Sequence, residues 1–395
     1  MISPLTDEVR KSYADLPTHW LESLWIIIQC MALARTTNLS VLKGYVGHVK
    51  GTKKARETKA ESHYRYLTRF FDVVVYQSGT HFVRMLSLIS QLTLAIVASL
   101  PDAVSRIGRY LLLDGTEWRI RDTKIQFLTL CILICGVAIP IAVIDLQKIG
   151  HSSQKERIAF FTKLKEQFNF EGMILLADRE YIGLQWFKSL RSFFKLHFVV
   201  RLKKGIYHDY VNNAPGKSRE EMMAKLRRCK RKDHVSKRIL IQGLPYYYII
   251  CHNPKAGHAK EDEFVFLLTS LLNRTTAAAA YSFRWEIEVS FRHLKTNGFN
   301  LEDMRVEGAQ KRELMFAILN LLFVICIRAG ERFYRLNPQS RQVKTDHNAG
   351  VVRVVHSTFR QGLAILLRVL PKLVTTCHYL KQFWKRKDQL EWAFV

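Results

Sequence analysis

The chain has 395 residues, 48% of them hydrophobic, which predicts a globular protein with at least one large core and excludes a disordered chain. Its 61 Lys and Arg residues against 34 Asp and Glu give a formal net charge of +27, well beyond what solubility requires. This charge favours a polyanionic partner such as nucleic acid, because Lys and Arg residues that neutralise phosphates release counterions; a solvated surface, or association with a ribosome or membrane, is the alternative.

Residues 1–100 are predicted to form a helical, basic, DNA-binding region. Leu21–Ala34 is mostly apolar and contains neither Pro nor Gly, and a basic segment with interleaved aromatic residues follows at 43–71. Basic and aromatic residues on short helices suit contact with DNA phosphates, although a solvated charged face is the alternative. Three residues of this segment are predicted to contact DNA: Lys53, Lys54 and Arg56.

The apolar run Phe127–Ile144 carries no charge and is about as long as a bilayer crossing. Gly136 and Pro140 interrupt it, and it is rich in β-branched residues. We therefore predict two buried strands with a turn near Gly136, and no membrane span; a membrane protein is the alternative. Met315–Ile327 is too short to span and is predicted to be a buried helix.

Strands alternate with helices over residues 105–335, which predicts an α/β domain. Within it, residues 205–275 are predicted to form a β-rich insertion. Residues 336–395 are basic and are predicted to be a helical C-terminal region for DNA contact or dimerisation.

Two aspartates follow apolar runs that predict buried strands. Asp114 comes after YLLL and Asp178 after MILLA, so each is placed where a strand is predicted to end. Cleavage of a phosphodiester by two metal ions needs carboxylates that converge from different elements. Each aspartate alone is weak support, since an Asp after a strand is commonly a turn residue or a helix cap.

The segment YSFRWEIEVSFRHLK, residues 281–295, is predicted to form one helix. At about 100° per residue, four polar residues fall within about 60° of arc: Tyr281, Arg284, Glu288 and Lys295. Three apolar residues form a separate stripe that is predicted to face the core: Phe283, Ile287 and Leu294. A surface helix with an ordinary ion pair between Arg284 and Glu288 is the alternative, but it does not account for a Tyr and a Lys in the same stripe.

The spacing Y-x2-R-x3-E-x6-K, with Trp285 directly after Arg284, resembles the YREK signature of the insertion sequence 4 family of bacterial DDE transposases. LLADREYIGLQWFKSL resembles the segment around that family's second aspartate. GFNLEDMR, residues 298–305, resembles the stretch that follows the signature. The resemblance extends over about residues 110–330.

This resemblance implies an RNase H-like core with a β-rich insertion between the second aspartate and the glutamate. Asp114 would lie on the first strand, Asp178 on a neighbouring strand and Glu288 on a later helix. These three residues would be both the catalytic residues and the ligands of Mg²⁺, for which Mn²⁺ could substitute. Glu180 is expected to be an ion-pair partner rather than a ligand.

The resemblance also implies that Tyr281, Arg284 and Lys295 hold a phosphate at the transposon end, Arg284 bidentately and Lys295 as a point charge. In this family an aromatic residue stacks on a flipped base, and the sequence does not decide between Trp285 and another Trp. Trp285 is nevertheless counted among the predicted DNA-binding residues, which include three further cations: Arg292, Lys203 and Lys204.

The implied function is cut-and-paste DNA transposition. Water activated by the metal ions cuts one strand at the transposon end, and the freed 3′-OH forms a hairpin that is reopened before joining to target DNA. The expected partners are double-stranded DNA, at the terminal repeats and the target, and a second copy of the chain in a homodimer. The expected location is the bacterial cytoplasm, at the nucleoid. This agrees with the seven scattered cysteines, which lack a CxxC pair and suit a reducing compartment, and with an N-terminus that does not resemble a signal peptide.

Two alternatives retain the same core. One is a catalytically inactive DNA-binding protein derived from a transposase. The other is an RNase H-like nuclease without strand transfer.

Overall fold

A computed structural model describes most of the chain. The described residues are 16–76, 79–100, 110–120, 123–166, 168–202, 224, 227–228, 234–241, 243–252, 263–295, 298–341, 343–346, 351–354 and 357–369.

The described part of residues 1–100 is helical. Asn38 and Thr52 cap two of its helices through side-chain oxygens that accept from the backbone N–H groups of Ser40 and Ala55. Gly51, at φ 72°, ends the helix before the second cap, in a conformation that favours glycine. The helices are α1 (Thr18–Ala34), α2 (Leu39–Lys50), α3 (Lys53–Glu57), α4 (Ala60–Tyr76) and α5 (Gly79–Ala98).

Eight of the described strands form one mixed sheet in the order β3-β2-β1-β4-β5-β8-β7-β6. β1, β4 and β5 are parallel neighbours, whereas β2 and β3 extend the sheet antiparallel from β1. The strands are β1 (Tyr110–Ile120), β2 (Thr123–Ile134), β3 (Val137–Asp145), β4 (Ile174–Ala177), β5 (His197–Arg201), β6 (His234–Ile241), β7 (Leu244–His252) and β8 (Phe264–Thr269).

The apolar run at 127–144 consists of the paired strands β2 and β3, as the sequence predicted. The turn between them lies at Cys135 and Gly136, both with positive φ. Pro140 lies on β3 at a sheet edge, where a residue without an N–H is tolerated.

Helices cover both faces of the sheet. One face of β1 places Leu111 and Leu113 in the larger hydrophobic core, and the other face places Leu112 in a second, smaller core, as the two-residue period of a strand requires. The helices that follow the first three strands are α6 (Gln154–Lys165), α7 (Leu184–Lys188), α8 (Arg274–Tyr281), α9 (Trp285–Leu294), α10 (Ala309–Leu336) and α11 (Thr358–Val369).

α8 and α9 lie on the side of the smaller core, which contains Ala277, Ala280, Ile287 and Phe291 from these helices. The side chain of Ser290 on α9 is buried, and its Oγ donates a 2.6 Å hydrogen bond to the carbonyl of Ala138 on β3. This bond joins α9 to the edge strand of the sheet and so fixes the position of the helix over it.

Two described helices are long and apolar enough to cross a membrane by length and composition alone, at Thr80–Ala98 and Ala309–Leu336, or up to three spans if the bent pair His19–Ala34 and Leu39–Lys50 counts as one. In Ala309–Leu336, 89% of the most apolar window is buried inside the protein. Packing in the core therefore accounts for its composition, and the prediction of a buried helix at Met315–Ile327 is confirmed.

The prediction of an α/β fold is confirmed, but two local predictions are wrong. β1 continues past Asp114 to Ile120, because β2 pairs with it along that whole length. The tail is not helical throughout: β9 (Val343–Asp346) and β10 (Val351–Val354) form an antiparallel pair before α11, in a segment rich in valine, which favours strands. Residues 370–395 lie outside the described part, and the domain limits stay predictions.

Candidate active site

Asp114 and Asp178 follow register partners on neighbouring parallel strands. Leu113 on β1 pairs with Ala177 on β4, so the two aspartates come next at the same level of the sheet. Neighbouring strands are about 4.8 Å apart, which brings the two residues close together. Leu112 and Leu176 belong to the smaller core, and the two-residue period therefore directs both aspartates toward the side of α8 and α9.

Gly115 allows the chain to pack closely beside Asp114. A Cβ at this position would lie 2.6 Å from Nε2 of Gln126 and 3.1 Å from the hydroxyl of Tyr181. The backbone N–H of Gly115 donates a 2.9 Å hydrogen bond to Oδ1 of Asp114. The side chain of Asp114 is thus held from its own strand.

Asp114 is a buried acid among other acids. Burial raises the pKa of Asp114 to about 7, the Arg284 guanidinium opposes that rise, and Glu180 and Asp178 add to it. Near neutral pH this carboxyl group is therefore divided between its protonated and ionised forms. A nearby cation stabilises the ionised form.

The segment 281–295 is not one helix, which corrects the prediction. α8 ends at Tyr281, residues 282–284 form a 3₁₀ turn, and α9 begins at Trp285. Ile287 and Leu294 are buried as predicted, but Phe283 is 41% exposed and its ring lies 5.4 Å from that of Tyr110. The 3₁₀ turn changes the angle per residue, so Phe283 leaves the stripe that an unbroken α-helix would give it.

Arg284 lies between two of the predicted catalytic carboxylates. Its Nη2 donates a 2.7 Å hydrogen bond to Oε1 of Glu288, and its Nη1 lies 3.8 Å from Oδ2 of Asp114. Burial by itself would lower the pKa of Arg284, but Tyr281, Asp178 and Glu288 raise it above its ordinary value. The guanidinium is therefore always charged and joins β1 to α9.

Tyr281 reaches the other aspartate. Its hydroxyl donates a 3.3 Å hydrogen bond to Oδ1 of Asp178. Burial raises the pKa of Tyr281, and the charge of Asp178 raises it further, so the phenol keeps its proton and remains a donor. The structure therefore brings together Asp114, Asp178, Glu288, Tyr281 and Arg284.

Lys295 lies at the C-terminal end of α9 and does not contact the three carboxylates. Its Nζ donates a 2.9 Å hydrogen bond to the carbonyl of Glu117 on β1 and lies 3.4 Å from Oε1 of Glu302. Lys295 thus contacts β1 at a residue three positions after Asp114. Glu302 belongs to the GFNLEDMR segment, which resembles the stretch after the family signature and for which no role was predicted.

The other predicted DNA-binding residues lie at different distances from this cluster. Trp285 is 39% exposed, and the guanidinium of Arg292 lies 5.6 Å from its ring. Lys203 and Lys204 lie outside the described residues. The remaining three residues are exposed on α3 in the N-terminal helical region: Lys53, Lys54 and Arg56.

Two residues next to the site were missed by the sequence reasoning. Tyr181 is 2% exposed, with its hydroxyl close to Gly115, and its position three residues after Asp178 could have drawn attention to it. Arg157 on α6 is buried against it, with its guanidinium 5.5 Å from the Tyr181 ring. Glu180 contacts the imidazole of His151, and its role as an ion-pair partner stays a prediction.

The donor set fits a divalent metal ion. Three carboxylates from different elements supply the hard oxygen ligands that Mg²⁺ prefers, and the buried, like-charged surroundings of Asp114 favour an added cation. As the side chains stand, the described residues contain no group of three or more His, Cys, Asp and Glu placed to hold a metal ion. Arg284 lies between two of the carboxylates instead.

The chain belongs to the transposase DDE domain family, whose model matches residues 107–325. That range contains both aspartates, Glu288 and all eight strands of the large sheet. The chain is therefore a DNA transposase by class, from a family of transposition enzymes that use divalent metal ions.

No curated protein matches the chain significantly. Among solved structures it is similar to a piggyBac transposase in a synaptic complex with hairpin DNA, with 12% identity and a TM-score of 0.41. The match covers 94% of this chain and 76% of that one.

Proposed function

We propose that the protein is a cut-and-paste DNA transposase of the insertion sequence 4 family, with an RNase H-like core. One observation carries this proposal. Asp114 and Asp178, from neighbouring parallel strands, and Glu288, from a later helix, belong to a cluster connected by Arg284 and Tyr281. Family membership supplies the class of reaction, and the cluster supplies residues of the required chemistry.

Asp114, Asp178 and Glu288 would hold Mg²⁺, or Mn²⁺ in its place. When bound, the metal ions supply Lewis acidity to the attacking and leaving oxygens of a phosphodiester. The protein contributes the fixed positions of the three carboxylates, through the β1–β4 register and through the bond from Ser290 to β3. Such positioning accounts for much of the rate in phosphoryl transfer.

Tyr281, Arg284 and Lys295 would bind a phosphate at the transposon end. Tyr281 and Arg284 lie beside the carboxylates, and Lys295 contacts β1 further along, at Glu117. A DNA strand that crosses this side of the sheet would therefore meet all three side chains. Trp285 and Arg292 extend this surface, and Trp285 is exposed enough to stack on a base. Further contacts would come from Lys203 and Lys204 and, on α3, from Lys53, Lys54 and Arg56.

The proposed assembly is a homodimer that pairs two transposon ends in the bacterial cytoplasm. The net charge of +27 supports binding to long stretches of DNA. The observed affinity for DNA is then expected to fall steeply as the salt concentration rises.

The direct test is a cleavage and joining assay with Mg²⁺ and DNA that carries the element's terminal repeats. The wild type is compared with Glu288→Gln, which keeps the shape of the side chain but removes its charge. The matched control is Glu171→Gln, on an exposed residue outside the cluster. Cleavage with joining by the wild type and the control, but not by Glu288→Gln, supports the proposal.

Other outcomes point to other functions. Cleavage without joining would indicate a nuclease. Binding without cleavage by any of the three proteins would mean that the chain is a DNA-binding protein and would overturn the proposed enzyme.

A further inference from the structure

We propose that Arg284 competes with the metal ions for Asp114 and Glu288, so that the metal site opens only when the guanidinium moves away. This inference deepens the proposed function and rests on it. It concerns the order of events at the site: the arginine that would bind a DNA phosphate first holds two of the metal ligands.

The contacts of Arg284 carry the argument. One guanidinium contacts carboxylates from two elements, Glu288 on α9 at 2.7 Å and Asp114 on β1 at 3.8 Å. The side chains of Arg284 and Asp114 are only 11% and 13% exposed, and that of Glu288 is 34% exposed. Water therefore screens these contacts less than it would on an open surface.

The position of the Arg284 guanidinium bears directly on metal binding. A divalent ion that bound both Asp114 and Glu288 would lie beside the Arg284 guanidinium, which contacts Oδ2 of Asp114 and Oε1 of Glu288. Two cations at one small, half-buried site repel each other, so metal binding requires the guanidinium to leave or to lose its contacts.

The competition couples the metal to DNA. If a DNA phosphate takes up the guanidinium, the carboxylates lose their partner and their mutual repulsion favours a metal ion. By linkage, whatever factor DNA adds to the affinity for metal, the metal adds to the affinity for DNA. The site would thus remain closed to metal until a transposon end is in place.

The test measures metal binding without DNA and without turnover. Mn²⁺ is titrated into the full chain, and free Mn²⁺ is followed by electron paramagnetic resonance. Arg284→Gln removes the competing charge and is compared with the wild type, while Arg335→Gln, on an exposed residue in the last turn of α10, controls for the loss of one positive charge elsewhere. Glu288→Gln reports whether the bound Mn²⁺ lies at the proposed site.

Arg284→Gln is expected to lower the Kd for Mn²⁺ about threefold to tenfold, since the ion no longer displaces a partly buried ion pair. Arg335→Gln should leave the Kd unchanged, and Glu288→Gln should weaken binding. If Arg284→Gln does not fold, as judged by circular dichroism, Arg284→Lys takes its place. A single ammonium bridges two carboxylates less well than the guanidinium fork, so this variant should also bind Mn²⁺ more tightly.

Two results would overturn the inference, and they differ in what else they affect. An unchanged or higher Kd in the folded Arg284 variant, with weakened binding in Glu288→Gln, would leave the metal site in place but refute the competition. No difference between the wild type and Glu288→Gln would refute the proposed metal site as well.

Discussion

The hydroxyl of Tyr281 donates a 3.3 Å hydrogen bond to Oδ1 of Asp178, a residue 103 positions earlier in the chain. This contact joins the end of α8 to the residue that follows β4 and so restrains the carboxylate of Asp178.

Tyr281→Phe removes this hydrogen bond and leaves the ring in place. One hydrogen bond to a carboxylate contributes about 1.5 kcal/mol or somewhat more, so we expect single-turnover cleavage of terminal-repeat DNA to slow about tenfold. The melting temperature should also fall by a few degrees, because the same hydrogen bond is lost from the folded protein. A variant that cleaves at the wild-type rate would show that the hydroxyl has no part in catalysis.

Ser290→Ala tests how α9 is held on the sheet. The change leaves the carbonyl of Ala138 without its 2.6 Å donor in a buried place, which should cost about 1–3 kcal/mol of the free energy of unfolding. Urea denaturation measures this loss. Ser282→Ala is the control, since that hydroxyl is exposed and donates to Ala279 within its own helix end; equal losses in the two variants would contradict the account.

Gly362→Ala tests the close contact between α11 and α10. A Cβ there would lie 1.7 Å from the carbonyl oxygen of Cys326, a backbone atom, so the helices must separate at a cost of about 2 kcal/mol or more. Gly44→Ala, inside α2, meets nothing within 4 Å and should stabilise the protein by about 0.5–1 kcal/mol through helix propensity. Thermal unfolding should give a lower melting temperature than the wild type for Gly362→Ala and a higher one for Gly44→Ala.

The buried His293 should make the free energy of unfolding depend on pH. Burial, and then Arg360 and Arg292, lower the pKa of His293 to about 4, against about 6.5 in an unfolded chain. The folded protein therefore keeps this ring neutral. The stability that results is fully present above about pH 6.5 and is lost as the pH falls from there toward 4, because only the unfolded chain takes up the proton in that window.

The corresponding measurement compares the wild type with His293→Gln at pH 7.5 and pH 4.5. The wild type should lose about 2–3 kcal/mol more than the variant between these two values. The same loss in both proteins would mean that His293 does not titrate as its burial and charges imply.

Much of the candidate site could be predicted from the sequence, since it depends on local patterns. The apolar runs before Asp114 and Asp178 indicated the strands, and the spacing of Tyr281, Arg284 and Glu288 indicated a shared face. The i,i+4 ion pair of Arg284 and Glu288, which the surface-helix alternative predicted, is also present. What the spacing could not give was the rotation of α9 about its axis relative to β1, and hence the contact between Arg284 and Asp114.

The errors have similar causes. A helical projection assumes one angle per residue, and the 3₁₀ turn at 282–284 breaks that assumption and exposes Phe283. The sequence predicts a strand end at Asp114 because the residues change from apolar to polar there. The strand continues because β2 pairs with it as far as Ile120. The sequence alone does not give the register of that pairing.

Anomalous X-ray scattering from crystals grown with Mn²⁺ and terminal-repeat DNA would show whether Asp114, Asp178 and Glu288 form one metal site. We expect anomalous peaks bounded by these three carboxylates, with the Arg284 guanidinium displaced from Asp114 and Glu288 toward a DNA phosphate. Peaks elsewhere, or none while Arg284 still joins the two carboxylates, would contradict this expectation.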